Sequence, residues 1–374
     1  MDGPGGRGTI VATGTYDAGV HPRIGVIVEG LRERGWDVDE IVEPLRLDTA
    51  QRVEMLRRPQ LLPRLVVALA SAWWRLAPSL RARRRHGPRP TAVLVGHLGH
   101  FDIAAVRRLM RPAPVVLDFL ISGATTADDR GVGGRLKRRL LVGLDAFALR
   151  RADLVVVDTQ EHLAALPEAV QERALVVPVG ADARWFDAAH VPRVTADSPM
   201  SVVFYGLFTP LQGTPVIAEA LRLLDGLVEA TVVGTGQDES EVDKVLVGVP
   251  GVTRVSWVAP DELPALVAAH DVCLGIFGTS RKALSVVPNK AFQGAAAGCV
   301  VVTGDTAPQR RTLGDTAIFV PPGDAVALAE ALRALALDPA RRRDMAARSV
   351  AHARSTMSAA SCVGPLDAVL VGGL

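Results

Sequence analysis

The sequence predicts an α/β protein made of two Rossmann-like, doubly wound domains in tandem, and three observations carry that prediction. The 374 residues are 49% hydrophobic and 22% charged, too many for one small core and too apolar for a disordered chain. Short runs rich in Val and Leu alternate with amphipathic stretches, the pattern of a parallel sheet covered by helices. Between Pro192 and Pro199 the alternation stops in a polar stretch, RVTADS, and then restarts with a fresh apolar run. The expected division is therefore 1–190, 191–350, and a tail over 351–374 that packs back on the first domain.

In the first domain, 9–13 reads as a strand, 23–34 as a helix closed by Gly35, and 37–42 as a second strand. An Arg-rich helical region follows. Strands are then expected at 92–95, 114–117 and 154–157, with helices near 102–111 and 135–151. Continuous Val and Leu runs of this kind suit strands buried on both faces. The second domain repeats the scheme, with strands at 201–205, 229–233, 253–257, 271–276, 299–302 and 317–320. Helices are expected at 213–225, 238–247, 261–269, 289–297, 324–336 and about 339–356, before a weakly patterned tail. Two such sheets would turn their carboxyl edges to one interdomain cleft, the usual ligand position of doubly wound folds.

Composition removes several classes of function. The 42 basic and 40 acidic residues nearly cancel, which argues against a dedicated nucleic-acid binder. Four of the basic residues are Lys (Lys137, Lys244, Lys282, Lys290) and the other 38 are Arg. Cys273, Cys299 and Cys362 are odd in number and widely spaced, so neither a disulfide framework nor a zinc site is indicated. The opening MDGPGGRGTIVATG has no basic segment followed by an apolar one. The apolar stretch 65–74 is far short of the roughly 20 residues that span a bilayer. A cytoplasmic protein is expected, at most peripheral at the inner face of the membrane.

Two segments suggest anion binding. Gly234-Thr235-Gly236-Gln237 follows a strand and opens a helix, which reads either as a close approach to an anion or as a tight turn. It lacks the third glycine of a dinucleotide fingerprint, and no GxxxxGK[ST] occurs. Val287-Pro288-Asn289-Lys290 is more informative. Proline forces an extended residue before it and lets a helix begin at once, so free N–H groups and an ammonium meet at one point. A diphosphate is the natural occupant, the other reading being a plain capped helix with a solvated Lys.

The stretches VVFYGLFTPLQGTPVIAEAL, ATVVGTGQ, ELPALVAAHDVCLGIFGTSRKALSVVPNKAFQGAAAGCVVVTGD and AIFVPPGDAVALAEALRALALDP, in that order, resemble the C-terminal domain of glycosyltransferase family 4. In the first half, PRIGVIVEGLRERGWDVDEI, RADLVVVDTQEHL and VVPVGADARWF are similar to that family's other domain. The resemblance implies a GT-B fold and a retaining glycosyltransferase that takes a nucleoside diphosphate sugar, a UDP-sugar being the expected donor. It implies donor contacts from Gly206, Thr209, Gln212, Gly234, Gly236, Lys282, Val287, Pro288, Asn289, Lys290 and Gln293, with Gly19 on the loop 14–19 closing over the diphosphate.

Gln293 stands where the family has the second Glu of an E-x7-E motif, and an amide still pairs with ribose hydroxyls. Ser285 replaces the first Glu. Leu207 and Gln212 replace the Arg and Lys that usually neutralise the diphosphate, leaving Lys282, Arg281 or Lys290 to supply charge. Asp118 stands where many relatives place a His near the reacting carbon. Asp118 and His100 are thus the candidates for accepting a proton, with Lys290 acting on the leaving group. His97, Asp102 and Arg23 are expected at the acceptor, although GHLGHFD reads equally well as a capping and packing segment.

No metal or other cofactor is expected. Asp37-Val38-Asp39 has the form of a metal-binding DxD but reads better as a solvated strand edge. Residues 51–90 hold ten Arg against Glu54 alone, interleaved with Trp73 and Trp74, and Arg135, Lys137, Arg138 and Arg139 form a second cluster. Such helices suit an acidic carrier protein, an anionic membrane surface, or plain solvation of a helical face. Two further readings stay open: a nucleotide-sugar 2-epimerase on the same fold, and a nucleotide-sugar-binding relative without turnover. The acceptor is open among a secondary-metabolite scaffold, a carrier-bound substrate, and an envelope glycolipid or polysaccharide.

Overall fold

The computed structural model describes residues 7–17, 22–45, 62–96, 99–120, 134–189 and 199–374. The chain forms two compact units, one of Met1–Pro178 with Cys362–Leu374 and the other of Val179–Ser361. Each is an α/β layer structure around one six-stranded parallel sheet, as the alternation in sequence predicts.

In the first unit the strands are β1 (Thr9–Gly14), β2 (Asp37–Val42), β3 (Ala92–Val95), β4 (Val115–Asp118), β5 (Leu154–Val157) and β6 (Ala174–Val176). Their spatial order is β2-β1-β3-β4-β5-β6, so the winding reverses between β1 and β3. Val93, Val95, Val115, Leu117, Val155 and Val157 turn to one face, against Leu76, Leu80 and Val106 of the covering helices. Ile10, Leu94, Val116 and Val156 turn to the other, against Ile24, Ile27 and Leu31 of the helix Pro22–Glu33. This two-sided burial explains why the strands read as unbroken Val and Leu runs.

The second unit holds β7 (Met200–Tyr205), β8 (Val228–Val233), β9 (Val252–Val255), β10 (Val272–Leu274), β11 (Val300–Gly304) and β12 (Ala317–Val320). Their order is β12-β11-β10-β7-β8-β9, with the reversal between β7 and β10. Ligands of doubly wound sheets lie at the carboxyl ends of the strands at such a reversal.

The short helices Gln160–Ala164, Glu168–Gln171, Ala183–Ala188 and Ala359–Cys362 escape the sequence pattern, and three further elements show why. β6 is a half-buried edge strand of three residues, too short to form a run. The helix Ala307–Leu313 begins Ala-Pro-Gln-Arg-Arg and shows no apolar period. The helix Gly364–Gly372 buries Leu366, Asp367 and Leu370 on one side, and an acid on the buried face disguises its amphipathicity. Asp367 is held there by Arg7, by Arg34 Nη1 at 3.0 Å and by Trp36 Nε1 at 2.9 Å. Leu366 and Leu370 join the first unit's core.

The boundaries at 190/191 and 350/351 expected from composition fall inside the second unit. The helix Ala183–Ala188 packs on the helices Leu263–Ala268 and Asn289–Ala296, and its Trp185 stacks on Tyr205 with ring centres 6.0 Å apart. The helix Pro339–Thr356 runs through 350 without a break. The polar stretch 192–198 lies outside the described residues.

Candidate functional site

At the reversal point of the second sheet, β7 ends in Tyr205-Gly206 beside the end of β10. The segment after β7 is packed backbone to backbone with its neighbours. A Cβ at Gly234 would stand 1.9 Å from the Gly206 carbonyl oxygen, and one at Gly236 would stand 2.3 Å from that of Phe208. Gly213, at φ +65°, brings the same segment against Phe277. Gln212 N donates to Thr209 O at 2.8 Å, closing the turn between them.

The two expected anion-binding helix starts differ in charge. The helix Glu239–Leu246, beyond Gly236, carries Glu239 and Glu241 in its first turn, which already answer its positive end. The helix Asn289–Ala296 has no acid in its first turn and no side-chain cap, with extended Pro288 before it. Lys290 stands in its first turn, so this start is the more cationic of the two.

Lys290 is buried, and its ammonium donates to Gln212 Oε1. Nζ lies 3.9 Å from the centre of the Phe204 ring, and a Cβ on Gly206 would be 3.1 Å from it. Burial lowers the amine to about 7, opposed by the nearby Cys273 thiol. Among the described residues no carboxylate pairs with it. Gln293 is also buried, and its Oε1 accepts from the Tyr205 hydroxyl at 2.8 Å. Val287 is buried, while Pro288, Asn289 and Lys282 are half-buried, Lys282 just before the short 3-10 turn Ala283–Ser285.

The first unit gathers polar groups at its own reversal point. Asp102 is fully buried and accepts from Thr15 N at 2.7 Å, Thr15 Oγ1 at 3.1 Å and Trp73 Nε1 at 3.1 Å. Burial raises its carboxyl to about 6 against the pull of those donors. Arg23 Nε donates to Asp118 Oδ1 at 2.8 Å, and Arg23 Nη1 to the Val177 carbonyl at 2.8 Å. Burial pushes the Asp118 carboxyl up while Arg23 pulls it down. Among the described residues Arg23 Nη2, Asp118 Oδ2 and the Tyr16 hydroxyl have no partner. His100 Nε2 lies 3.0 Å from Asp145 Oδ1 but off the direction of a hydrogen bond, and its ring is 5.2 Å from that of Phe119.

The structure thus joins Arg23 to Asp118, and Lys290 to Gln212 and Gly206, from distant positions in sequence. Gly19 and His97 lie outside the described residues. Sequence reasoning missed Tyr16 and Tyr205, the chain's two tyrosines, although each follows or ends the first strand of its sheet. Asp39 of the DxD pairs with Arg83 on an edge strand. Among the described residues no three His, Cys, Asp or Glu side chains group as a metal-ligand set, and no helix is long and apolar enough to cross a membrane.

Residues 199–338 match the family model described as Glycosyl transferases group 1, which covers less than half of the chain. No curated protein matches by sequence alone. Among solved structures, the chain is similar to sucrose-phosphate synthase from Thermosynechococcus elongatus, with TM-score 0.67 and 16% identity over 96% of this chain and 98% of that one. It is similar to Anabaena HepE in complex with UDP and glucose, with TM-score 0.67 and 15% identity over 98% and 100%. A third is an α,α-trehalose-phosphate synthase (UDP-forming) from Burkholderia vietnamiensis, with TM-score 0.65 and 14% identity over 97% and 99%. The fold class is that of these GT-B structures, two Rossmann-like units each built on a six-stranded parallel sheet, and the matched residues 199–338 support a glycosyltransferase.

Proposed function

We propose that this protein transfers a sugar, with retention of anomeric configuration, from a nucleoside diphosphate sugar to a hydroxyl acceptor. The observation that carries the reading is the ammonium of Lys290, which has no carboxylate partner among the described residues and sits at the uncapped start of the helix Asn289–Ala296 within the matched segment. A departing diphosphate gathers negative charge, and a fixed cation in the first turn of a helix stabilises it most when that charge is largest. UDP is the expected nucleotide, since HepE is described in complexes with UDP and with UDP-glucose.

In this reading the bond from the anomeric carbon to the donor phosphate oxygen breaks, and the acceptor oxygen bonds to that carbon on the same face. The acceptor proton passes to the leaving phosphate oxygen or to a carboxylate. Asp118 is the candidate in the first unit, because its Oδ2 has no described partner and burial favours its protonated form. Gln293 and Tyr205 take the ribose side and Gly206 the close approach of the diphosphate. The 2-epimerase and the non-catalytic relative are not favoured.

The test is thermal stabilisation by a panel of nucleoside diphosphates and their sugars, followed by slow hydrolysis of the sugar that binds. Stabilisation by UDP and UDP-sugars, abolished by Lys290→Ala in a protein that remains folded, supports the assignment. No stabilisation by any nucleotide sugar would sink it. An anomeric NMR signal in the product matching the donor's configuration checks retention.

A further inference from the structure

The helix Leu62–His86 carries six Arg and no acid over its length. Ala72, Leu76 and Leu80, at four-residue spacing, pack into the first unit. Opposite them the helix leaves apolar side chains in solvent: Trp74 is 82% exposed, Val67 65% and Val66 63%. The adjacent indoles part company, since Trp73 donates inward to Asp102 while Trp74 projects outward. Val67, Ala70, Trp74 and Pro78 follow one another at three- and four-residue steps, and the same stripe continues into Arg81 and Arg85, both exposed.

A second helix, Arg135–Leu149, repeats the combination: Leu140 is 66% exposed, in the same stretch as exposed Arg135 and Arg139. Both helices border one loop at the end of β3. Trp73 holds it at Asp102, Asp145 of the second helix lies 3.0 Å from His100, and half-exposed Phe101 stands between.

We propose that this face of the first unit seats on the surface of an anionic lipid bilayer. The apolar stripe supplies the area that enters the boundary between headgroups and acyl chains. Indole is the side chain best suited to that boundary. Flanking Arg residues extend their stems along the apolar surface and keep their guanidinium groups among the lipid phosphates. Positive charge without an acid on the longer helix, joined to exposed Trp and Val, is what such a surface requires. The inference stands apart from sugar transfer and can hold or fail without it.

Cosedimentation of the full chain with vesicles tests it. We expect binding to vesicles containing phosphatidylglycerol, weakening as salt is raised, and little binding to phosphatidylcholine alone. The pair Val67→Ser with Trp74→Ser should lower the affinity by about tenfold or more. Arg81→Gln with Arg85→Gln should lower it by about fivefold per residue. All four side chains are exposed, so melting temperatures should not move. Absence of binding to the anionic vesicles would overturn the proposal, as would binding indifferent to both variant pairs. A Trp74-dependent dimer, or retention on poly-glutamate, with no vesicle binding would overturn it too.

Discussion

The ammonium of Lys290 is hydrogen-bonded to Oε1 of Gln212, 78 positions away in sequence, and lies against Gly206 and the face of Phe204. A cation buried against a neutral amide and aromatic rings keeps its charge available to an incoming anion. Lys290→Met retains most of the volume and removes the charge. A charge-assisted contact is worth about 1.5 to 3 kcal/mol, so UDP should bind roughly ten- to a hundredfold more weakly. Calorimetric titration checks this, and an unchanged affinity would place the diphosphate elsewhere.

The same burial makes nucleotide binding depend on pH. The free protein's Lys290 titrates near 7, below its ordinary value of 10.5. Above pH 7 the bound anion must draw a proton back onto it, so affinity should fall by up to about tenfold per pH unit. Titration in buffers of different ionisation enthalpy should show uptake of about one proton. Stability runs the other way. Between about 7 and 10.5 the unfolded chain holds the extra proton, so stability rises with pH over that window, and Lys290→Met should flatten the rise.

Arg23 and Asp118 form a pair exposed by only a few per cent. Asp118→Leu or Arg23→Leu alone strands a buried charge and should cost about 3 to 5 kcal/mol of stability. Combining the two should cost much less than their sum, as urea denaturation of the four members of the cycle would reveal. Additive losses would mean that the pair does not act as a unit.

Asp367 ties the final helix to the first unit through Arg7, Arg34 and Trp36. Burial raises its carboxyl, but those three donors outweigh it and leave the group below its ordinary 3.8. Its contribution is present above the unfolded value and is lost as pH falls through the folded one, below about 3.8. Asp367→Asn should lower stability by about 1 to 3 kcal/mol at neutral pH and remove that part of the acid dependence.

Gly234→Ala should disrupt the end of β7, because the added Cβ would meet the Gly206 carbonyl at 1.9 Å. Nucleotide binding should weaken together with thermal stability. A folded variant with full affinity would show that the contact between these segments is not needed to shape the site.

By itself the sequence determined the two doubly wound halves, the parallel sheets and the helix start that follows Pro288. Unbroken Val and Leu runs and an X-Pro helix start are local signals, set by burial on both sheet faces and by proline's fixed backbone. Short edge β6, the helix from Ala307 and the final helix were beyond it, since three residues, a Pro-Gln-Arg start and a buried acid leave no period to detect. Tertiary structure alone decided that Lys290 meets Gln212, that Tyr205 engages Gln293, that Arg23 closes on Asp118, and that the helix Ala183–Ala188 packs on Leu263–Ala268 and Asn289–Ala296. Each of these joins residues tens of positions or more apart, or depends on which neighbour a short helix packs against. The energy deciding such matters lies in desolvation and contact across elements, which the order of residues along one element does not record.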